Sequence, residues 1–410
     1  MTTIKLDPGA ALLLDALHGA GHAAYAVGGC VRDSLLGQAP HDWDLCTSAR
    51  PEQVMELFGE EKCIPTGLQH GTVTVKQGGR LYETTTFRIE GAYSDGRHPD
   101  AVHFVPDVRE DLARRDFTIN AMAYSAEEGL IDPFGGRGDL AAHLVRAVGE
   151  PERRFEEDAL RILRLYRFAA RFGFSVDPAT GAAARALGPH LDCVSAERIQ
   201  EEMLKLLAAP APGRYLEPAV LAVILPELYP LEEPARFAES CRVIDRLAPG
   251  AENVPARLAA LLLPLGEEGT RKALRRLKCS NALTEETAVL VREIGTSGSA
   301  TDPAVSVRRL LGRYGLTAVE RLAALGAAGH PEQAADFAAR AELARQMEAD
   351  GVCCRIAQLA VNGRDLMAAG AKPGPGLRQL LEQLLEAVIT GQVPNEKQAL
   401  LAAAAQFSAS

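Results

Sequence analysis

Two aspartates in the stretch GGCVRDSLLGQAPHDWDLCTS, residues 28–48, are separated by a single residue. In an extended strand, the side chains of Asp42 and Asp44 project from one face and that of Trp43 from the other. Two like charges this close repel unless a cation offsets them. Carboxylate oxygens suit a hard divalent ion such as Mg²⁺, as in two-metal phosphoryl and nucleotidyl transfer. The spacing predicts a magnesium site at Asp42 and Asp44, although the same spacing also occurs on exposed strand ends that bind nothing.

The residues around this pair favour a bound nucleotide. Gly28 and Gly29 allow close backbone approach at the start of a helix predicted from Val31, which is a natural cradle for phosphates. Arg32 opposes the dipole of that helix, an arrangement easier to understand beside an anion. Glu83, in the stretch RLYETTTFR, is a candidate third carboxylate if that strand lies beside the first. An exposed strand glutamate without a catalytic role explains Glu83 equally well.

A different enzyme class shares part of this pattern. DWDLCT resembles the D-x-D-x-T motif of aspartate-dependent phosphatases. That motif needs a continuous apolar strand directly before its first aspartate. The preceding residues here are GQAPH, which disfavours a phosphatase of this type.

A second group of charges recurs every three residues in FEEDALRILRLYRFAARF, at Asp158, Arg161, Arg164 and Arg167. On a helix this spacing forms a slanted stripe, which is either a solvated face or the wall of a cleft. A carboxylate with a guanidinium complements the amino donor and ring nitrogen acceptor that cytosine and adenine share. Asp158 and Arg161 would therefore accept CTP and ATP and reject UTP and GTP. Arg164 and Arg167 would remain for phosphate contacts.

The patterns along the chain predict two kinds of structure. The first 150 residues mix strand patterns (AYAVGG, DWDLCT, GTVTVK, RLYETTTFRI) with helical ones (LLLDALHG, VRDSLLG, PEQVMELF). After about Gly149 only helical patterns follow, punctuated by Pro and Gly. We therefore predict an α+β fold, with a mixed sheet in the N-terminal part and an all-helical remainder.

Composition limits the setting and the partners. With 44 basic and 54 acidic side chains the net charge is −10, so total charge does not indicate attraction to nucleic acid. The eight cysteines form no C-x-x-C pair, which argues against a zinc site or a disulfide framework. No apolar run is long enough to span a bilayer, and the start MTTIKLDPGA does not resemble a signal segment. We expect a cytoplasmic protein that does not bind membranes.

Five motifs together resemble a known family. GGCVRD, DWD, RRDFTINAMAY (residues 114–124), EDALRILRLYRFAARFGF (157–174) and SAERIQEE (195–202) resemble the ordered series of the class II CCA-adding enzymes, which are tRNA nucleotidyltransferases. The resemblance runs from about residue 20 to the C-terminus. It implies a nucleotidyltransferase head at 1–149, followed by a helical neck at 150–211, a body at 212–320 and a tail at 321–410.

The resemblance also implies roles for individual residues. The metal would be Mg²⁺, the substrates CTP, ATP and tRNA, and the product tRNA carrying a 3′-terminal CCA, with release of pyrophosphate. The implied roles are Mg²⁺ binding for Asp42 and Asp44, phosphate binding for Gly29 and Arg32, nucleotide contact for Arg115, Arg164 and Arg167, ribose contact for Asp116, base templating for Asp158 and Arg161, and bracing of the templating helix for Glu197 and Arg198.

Close relatives of this family are the main alternatives. Poly(A) polymerases and enzymes that add only C or only A share most of the motifs. The polar segment between Arg88 and Arg114 resembles a flexible loop that CC-adding relatives lack, and so favours the ability to add A. An RNA-binding protein that keeps the fold without catalysis is a further alternative, although the intact carboxylates and arginines argue against it.

Contacts with RNA are expected in the later helices. The stretch TRKALRRLK, residues 270–278, carries Arg271, Arg275 and Lys278, which could follow a phosphate backbone. The same cations could instead stabilise a helix C-terminus.

Overall fold

The structure is a computed structural model that describes residues 3–90, 102–228, 233–296 and 302–407. The chain divides into two compact units, residues 1–230 and 231–410. Within the described ranges the strands all belong to the first unit, and the second is helical. The finer division into head, neck, body and tail remains a prediction.

The strands of the first unit are short. They are β1 (Ala24–Val27), β2 (Leu45–Thr47), β3 (Cys63–Gly67), β4 (Thr72–Gln77), β5 (Arg80–Thr86), β6 (Arg88–Glu90), β7 (Val102–Phe104), β8 (Ala123–Ser125), β9 (Gly129–Ile131), β10 (Leu144–Val145) and β11 (Ser175–Val176).

The helices of the first unit alternate with these strands and then follow them. They are α1 (Pro8–Gly19), α2 (Gly29–Leu35), α3 (Pro51–Phe58), α4 (Val108–Ala113), α5 (Gly136–Ala141), α6 (Pro151–Glu157), α7 (Leu160–Phe172), α8 (Pro178–Ala186), α9 (Ala196–Leu207) and α10 (Pro218–Ile224).

Seven strands form one mixed sheet in the order β3-β4-β5-β2-β1-β8-β9. The β2 and β5 strands are parallel and the other pairs are antiparallel. Between β4 and β5, Gly78 and Gly79 both have positive φ, which suits a two-residue hairpin. Among the described residues after Gly149, only the two-residue β11 is a strand, and it pairs with β10. The predicted fold class is therefore confirmed.

One apolar cluster packs against the central strands β1 and β2 of the sheet. It includes Tyr25 and Val27 of β1, Cys46 of β2, and Phe87, all buried. Tyr25 stacks on Phe87 with the ring centroids 6.0 Å apart. Because these side chains fill one face of the sheet, the residues that alternate with them along β1 and β2 are directed elsewhere.

The second unit consists of helices packed through apolar faces. The helices are α11 (Pro234–Arg246), α12 (Val254–Leu262), α13 (Gly266–Arg276), α14 (Asn281–Thr296), α15 (Pro303–Tyr314), α16 (Leu316–Gly329), α17 (Ala334–Ala349), α18 (Gly363–Ala368), α19 (Pro375–Ile389) and α20 (Lys397–Phe407). One core joins α15, α16 and α17, and another joins α18, α19 and α20. None of the helices in the described ranges is long and apolar enough to cross a membrane.

The packing of α15 gives a test of this unit. A Cβ atom built on Gly312 would lie 2.0 Å from the backbone oxygen of Cys354. We expect Gly312→Ala to destabilise the protein by about 1–3 kcal/mol or more, because the helix must move away from that carbonyl. Gly376→Ala in α19 is the control, since its Cβ meets no described atom within 4 Å. Thermal unfolding followed by circular dichroism would measure both, and equal melting temperatures would contradict the packing.

Candidate active site

The two aspartates lie directly before β2, which begins at Leu45 rather than at Asp42. The segment is nevertheless extended along β1, because the Val27 N–H donates to the Asp44 carbonyl at 2.9 Å. Trp43 is buried, whereas Asp42 and Asp44 are both exposed. This alternation is the one predicted from the spacing, with the two carboxylates on the opposite side from the indole.

The third predicted carboxylate lies next to Asp44. The β5 strand runs parallel to β2 with Leu45 opposite Thr84, so Glu83 is adjacent to Asp44. Solvent reaches Asp44, yet protein atoms surround its carboxylate on most sides. This burial, together with the negative charges of Glu83 and Asp42, raises the pKa of Asp44 to about 6 against the opposing effect of Arg115. The carboxylates thus carry negative charge that the protein does not fully neutralise.

The donor set suits a hard divalent cation, although it is not assembled into a metal site. Within the described ranges, no three His, Cys, Asp or Glu side chains are grouped so that they could hold a metal ion. The Asp42 carboxylate is exposed, and its Oδ1 atom lies 3.0 Å from Nδ1 of His41. Asp42, Asp44 and Glu83 offer only oxygen ligands, which Mg²⁺ prefers. Their chemistry and uncompensated charge therefore fit the predicted ion.

A glycine turn joins β1 to α2 beside these carboxylates. Gly28 has φ 78° and ψ −122°, a conformation open to glycine. A Cβ atom at Gly28 would lie 2.9 Å from Nη1 of Arg115. The Nε atom of Arg115 is buried and has no hydrogen-bond partner in the described part of the chain. Arg115, whose Nη2 donates to Asp111 Oδ2 at 3.4 Å, therefore keeps some unused hydrogen-bonding capacity between the turn and Asp44.

Arg32, predicted to hold phosphates, is enclosed by protein. Its side chain is 4% exposed. The guanidinium donates from Nε to Asp33 Oδ1 at 2.8 Å and from Nη1 to Asn120 Oδ1 at 2.5 Å. A phosphate would reach Arg32 only if the surrounding side chains moved.

The predicted stripe of charges does not lie on one helix. The α6 helix ends at Glu157 and α7 begins at Leu160, with Asp158 in an extended conformation (φ −150°) between them. The Asp158 carboxylate accepts the Leu160 N–H at 3.1 Å and Nη2 of Arg198 at 2.7 Å. Asp158 therefore lies before α7, where its carboxylate accepts an N–H group of the first turn, and it is not part of the helix surface. Its ion pair with Arg198 is the kind of contact that the predicted bracing role of Arg198 requires.

The side chains of the two residues predicted to read the base are not paired with each other, although the Arg161 N–H donates to the Asp158 carbonyl at 3.0 Å. Arg161 donates from Nη1 to Glu157 Oε2 at 2.8 Å and from Nη2 to the Arg114 carbonyl at 3.0 Å. The side chains of Asp158 and Arg161 are 16% and 11% exposed. Each is therefore fixed by other parts of the protein, with a small part of its surface open.

Arg164 and Asp116, both predicted to meet the nucleotide, form an ion pair in which the carboxylate is buried. Arg164 Nη2 lies 2.6 Å and Nε 2.9 Å from Asp116 Oδ2, and Asn120 Nδ2 donates to Oδ1 at 3.1 Å. Burial opposes ionisation of Asp116, but Arg164 and Asn120 outweigh it and hold the pKa at about 2. Asp116 is therefore occupied by protein partners, and about a third of the Arg164 side chain remains exposed.

Glu202 is an ion-pair partner of the predicted arginines that the sequence reasoning missed. It is buried in α9 and accepts Nε of Arg167 at 2.5 Å, with Nη1 of Arg164 at 3.9 Å. Its position three residues after the buried Ile199 places it on the inner face of the helix, which was the available signal. Glu197, predicted to brace α7, is exposed and has no hydrogen bond or ion pair among the described residues. Glu202 occupies the supporting position instead.

The cations predicted to contact RNA differ in their surroundings. Arg271 is 16% exposed and is paired with three carboxylates, of Glu267, Glu268 and Glu285, at 2.7–3.0 Å. Arg275 is 63% exposed and lies 3.4 Å from Glu285. Lys278 is exposed. Arg271 therefore links α13 to α14, while Arg275 and Lys278 are open to a partner.

The predicted flexible loop falls largely outside the described residues, which omit 91–101. On either side of this gap, β6 and β7 pair antiparallel, with Arg88 opposite Phe104.

Comparison with known families agrees with this architecture. The sheet, with its carboxylates and glycine turn, and the helices after it define a nucleotidyltransferase. A family described as the poly A polymerase head domain matches residues 24–146, a probable RNA and SrmB-binding site of polymerase A matches 173–231, and tRNA nucleotidyltransferase domain 2 matches 252–404.

Curated relatives are similar over nearly the whole chain. The CCA-adding enzyme of Limosilactobacillus fermentum is 37% identical over 96% of both chains. That of Lactobacillus delbrueckii subsp. bulgaricus is 39% identical over 95% of both. The chain belongs to the family of CCA-adding enzymes.

Solved structures share the fold. The Bacillus stearothermophilus CCA-adding enzyme in complex with CTP is 33% identical, with a TM-score of 0.79 over 98% of both chains. The Thermotoga maritima CCA-adding enzyme complexed with tRNA has a TM-score of 0.71 at 21% identity, over 98% of this chain and 96% of that one. The predicted family is thus confirmed.

The buried pair of Asp116 and Arg164 predicts a pH dependence. Because the pKa of Asp116 is lowered from 3.8 to about 2, its ionised form stabilises the fold above about pH 4. From this shift we expect a contribution of about 2 kcal/mol that is lost as the pH falls from 4 toward 2. Urea unfolding at pH 6, 4 and 3 should therefore show a smaller change with pH in Asp116→Asn than in the natural protein. The control is Asp15→Asn at an exposed site in α1; identical pH profiles for both variants would contradict the assignment.

Proposed function

We propose that this protein adds CMP, CMP and then AMP to the 3′ end of tRNA, using CTP and ATP and releasing pyrophosphate. The observation that supports this most is the grouping of Asp44, Glu83, Arg115 and the Gly28–Gly29 turn beside the central strands β1, β2 and β5. Membership of the family of CCA-adding enzymes indicates that the substrates are tRNA, CTP and ATP. The reaction forms a bond between the terminal RNA 3′-oxygen and the α-phosphorus, and breaks the bond from that phosphorus to pyrophosphate.

Asp42 and Asp44 would hold Mg²⁺, with Glu83 as an adjacent carboxylate. Their oxygen donors and the raised pKa of Asp44 support this assignment. When bound, the ion supplies electrostatic stabilisation of the attacking and leaving oxygens.

The remaining residues position the nucleotide. Backbone N–H groups in the first turn of α2, which lack intrahelical acceptors, would bind phosphate oxygens together with Arg115. Asp158 and Arg161 would read the base edge. A carboxylate offers about four lone-pair positions, so the two bonds that Asp158 already accepts leave room for the amino group of cytosine or adenine. The prior ion pairs fix both readers before the base arrives, which lowers the entropy cost of recognition.

We expect this activity in the cytoplasm. The eight cysteines are all free thiols, and three of the buried ones, Cys46, Cys353 and Cys354, lie in apolar clusters of the two units. Unpaired thiols suit a reducing compartment.

Product length tests the proposal directly. With CTP, ATP and tRNA lacking its last three nucleotides, we expect a product longer by three residues. Addition of one A only, of two C only, or of a ladder of A would support the A-adding, C-adding or poly(A) alternatives respectively. Unchanged tRNA would support the non-catalytic RNA-binding alternative.

The same assay tests the carboxylates. Asp42→Asn and Asp44→Asn should lower the rate by at least about a thousandfold, because they weaken the proposed metal site. Neither change should lower the melting temperature, since each removes a charge that the fold does not neutralise. Asp15→Asn is the matched control and should keep its activity. Retained turnover in Asp44→Asn would overturn the metal assignment.

Base selection depends in this proposal on Asp158. We expect Asp158→Ala to reduce the preference for CTP over UTP, measured as the ratio of kcat/KM values, by about tenfold or more, because a buried hydrogen bond to the amino group is lost. Glu197→Ala, one residue before the partner Arg198, should leave this ratio unchanged. If Asp158→Ala and Glu197→Ala showed the same preference for CTP over UTP, Asp158 would support α7 without reading the base.

A further inference from the structure

The guanidinium of Arg32 packs against two phenylalanine rings of α7. Its central carbon lies 5.3 Å from the ring centroid of Phe168 and 4.9 Å from that of Phe172. The two rings are parallel within 2°, with their centroids 6.2 Å apart. A planar cation beside aromatic faces at these distances is held by cation–π attraction, which is strongest when water is excluded. Arg32 is such a case because its side chain is buried.

Further arginines approach the same two rings. Arg167 lies 4.0 Å from the centroid of Phe168, and Arg171 lies 5.0 Å from that of Phe172. Buried carboxylates balance these charges, since Glu202 accepts Arg167 and Asp33 contacts Arg171 at 3.4 Å. We call Arg32, Phe168 and Phe172, with these two arginines, the arginine–phenylalanine stack. It is a charged contact between α2 and α7 in which three guanidinium groups share two carboxylates, with Asp33 contacting both Arg32 and Arg171.

The N–H groups of Arg32 form hydrogen bonds with polar side chains, while the guanidinium also packs against the phenylalanine rings. Asp33 and Asn120 occupy its N–H groups, so the flat faces of the guanidinium are what remain for α7. A lysine would keep the charge but lose both the bidentate edge and the planar face. Arginine suits this position because its N–H groups form hydrogen bonds while its planar face packs against the phenylalanine rings.

The stack joins the two helices whose N-terminal ends carry the parts of the proposed nucleotide site. The α2 helix starts at Gly29, next to the glycine turn proposed for the phosphates. The α7 helix begins at Leu160, beside Asp158, and carries Arg161. A nucleotide bound by its phosphates at α2 and by its base at α7 must span a separation that contacts between these helices determine.

We propose that Phe172 is a positioning residue which, through Arg32, sets the distance between the phosphate cradle and the base-reading residues. This inference rests on the proposed function. With the distance fixed, only a base that reaches Asp158 and Arg161 places its α-phosphate correctly for attack. If the stack loosens, α2 and α7 move relative to each other, and bases that make fewer contacts are aligned almost as well as cytosine.

The test uses a pair of matched variants. Phe172→Leu removes the aromatic face at a half-buried position that tolerates a smaller side chain. Phe172→Tyr keeps the face, and its hydroxyl can reach solvent. Phe155→Leu makes the same change at a fully buried phenylalanine of α6 for which no arginine contact is found among the described residues. Steady-state kinetics with CTP and UTP on tRNA lacking CCA would give kcat and KM for each protein.

We expect Phe172→Leu to lower the ratio of kcat/KM for CTP to that for UTP by about tenfold, the size of one desolvated cation–π contact. Phe172→Tyr should restore the ratio, and Phe155→Leu should preserve it even where its melting temperature falls. The double variant Arg32→Lys with Phe172→Leu should have the same ratio of kcat/KM for CTP to that for UTP as Arg32→Lys alone, because both changes act on one contact.

Two results would overturn the inference. One is a CTP to UTP ratio of kcat/KM in Phe172→Leu equal to that of the natural protein. The other is a decrease of this ratio in Phe155→Leu as large as that in Phe172→Leu, which would indicate a general effect of loosening the core. Failure of the proposed function would look different, since the natural protein itself would then not extend tRNA with CTP.

Discussion

Asp116 is a carboxylate buried at the junction between the sheet and α7, and its charge constrains the first unit. Removing a charge from water costs several kcal/mol unless partners compensate for it. Arg164 supplies two hydrogen bonds and Asn120 a third, so the burial of this charge is compensated only when α7 is in place. Glu202 and Arg167 repeat this logic between α7 and α9. Because an unpaired buried charge is costly, small displacements of α7 are penalised more than they would be in an apolar contact.

The carboxylates of this unit fall into two groups. Asp116 has a pKa of about 2 because its partners outweigh its burial, whereas burial and the neighbouring negative charges raise that of Asp44 to about 6. Glu202 is buried and ion-paired, like Asp116, while Asp42 and Glu83 remain exposed. Charge that the protein leaves unneutralised marks a site where an external cation gains the most binding energy. The contrast distinguishes residues that hold the structure from residues available to a ligand, although all are acidic.

The arginines divide in the same way. Arg32 and Arg161 are buried, Arg167 is mostly so, and all three have protein acceptors, so they act as supports for neighbouring groups. Arg115 keeps a buried Nε atom without a partner among the described residues and is the arginine best placed for an anion near Asp44. In the second unit, Arg271 is committed to carboxylates, while Arg275 is largely open. Positive charge in a motif therefore identifies a site only after the internal ion pairs are known.

Local patterns in the sequence were sufficient for much of this protein. The alternation around Trp43, the helix that follows Gly28, the strand containing Glu83 and the switch to helices after Gly149 depend on neighbouring residues, and all were predicted. The ordered motifs also identified the family. Tertiary structure decided which charges pair. The pairing of Glu202 with Arg167 joins residues that are distant in the chain. The break at Asp158 and the burial of Arg32 depend on the elements packed around them. Such pairings follow from which faces meet in three dimensions, and a periodic pattern specifies a face without naming its partner.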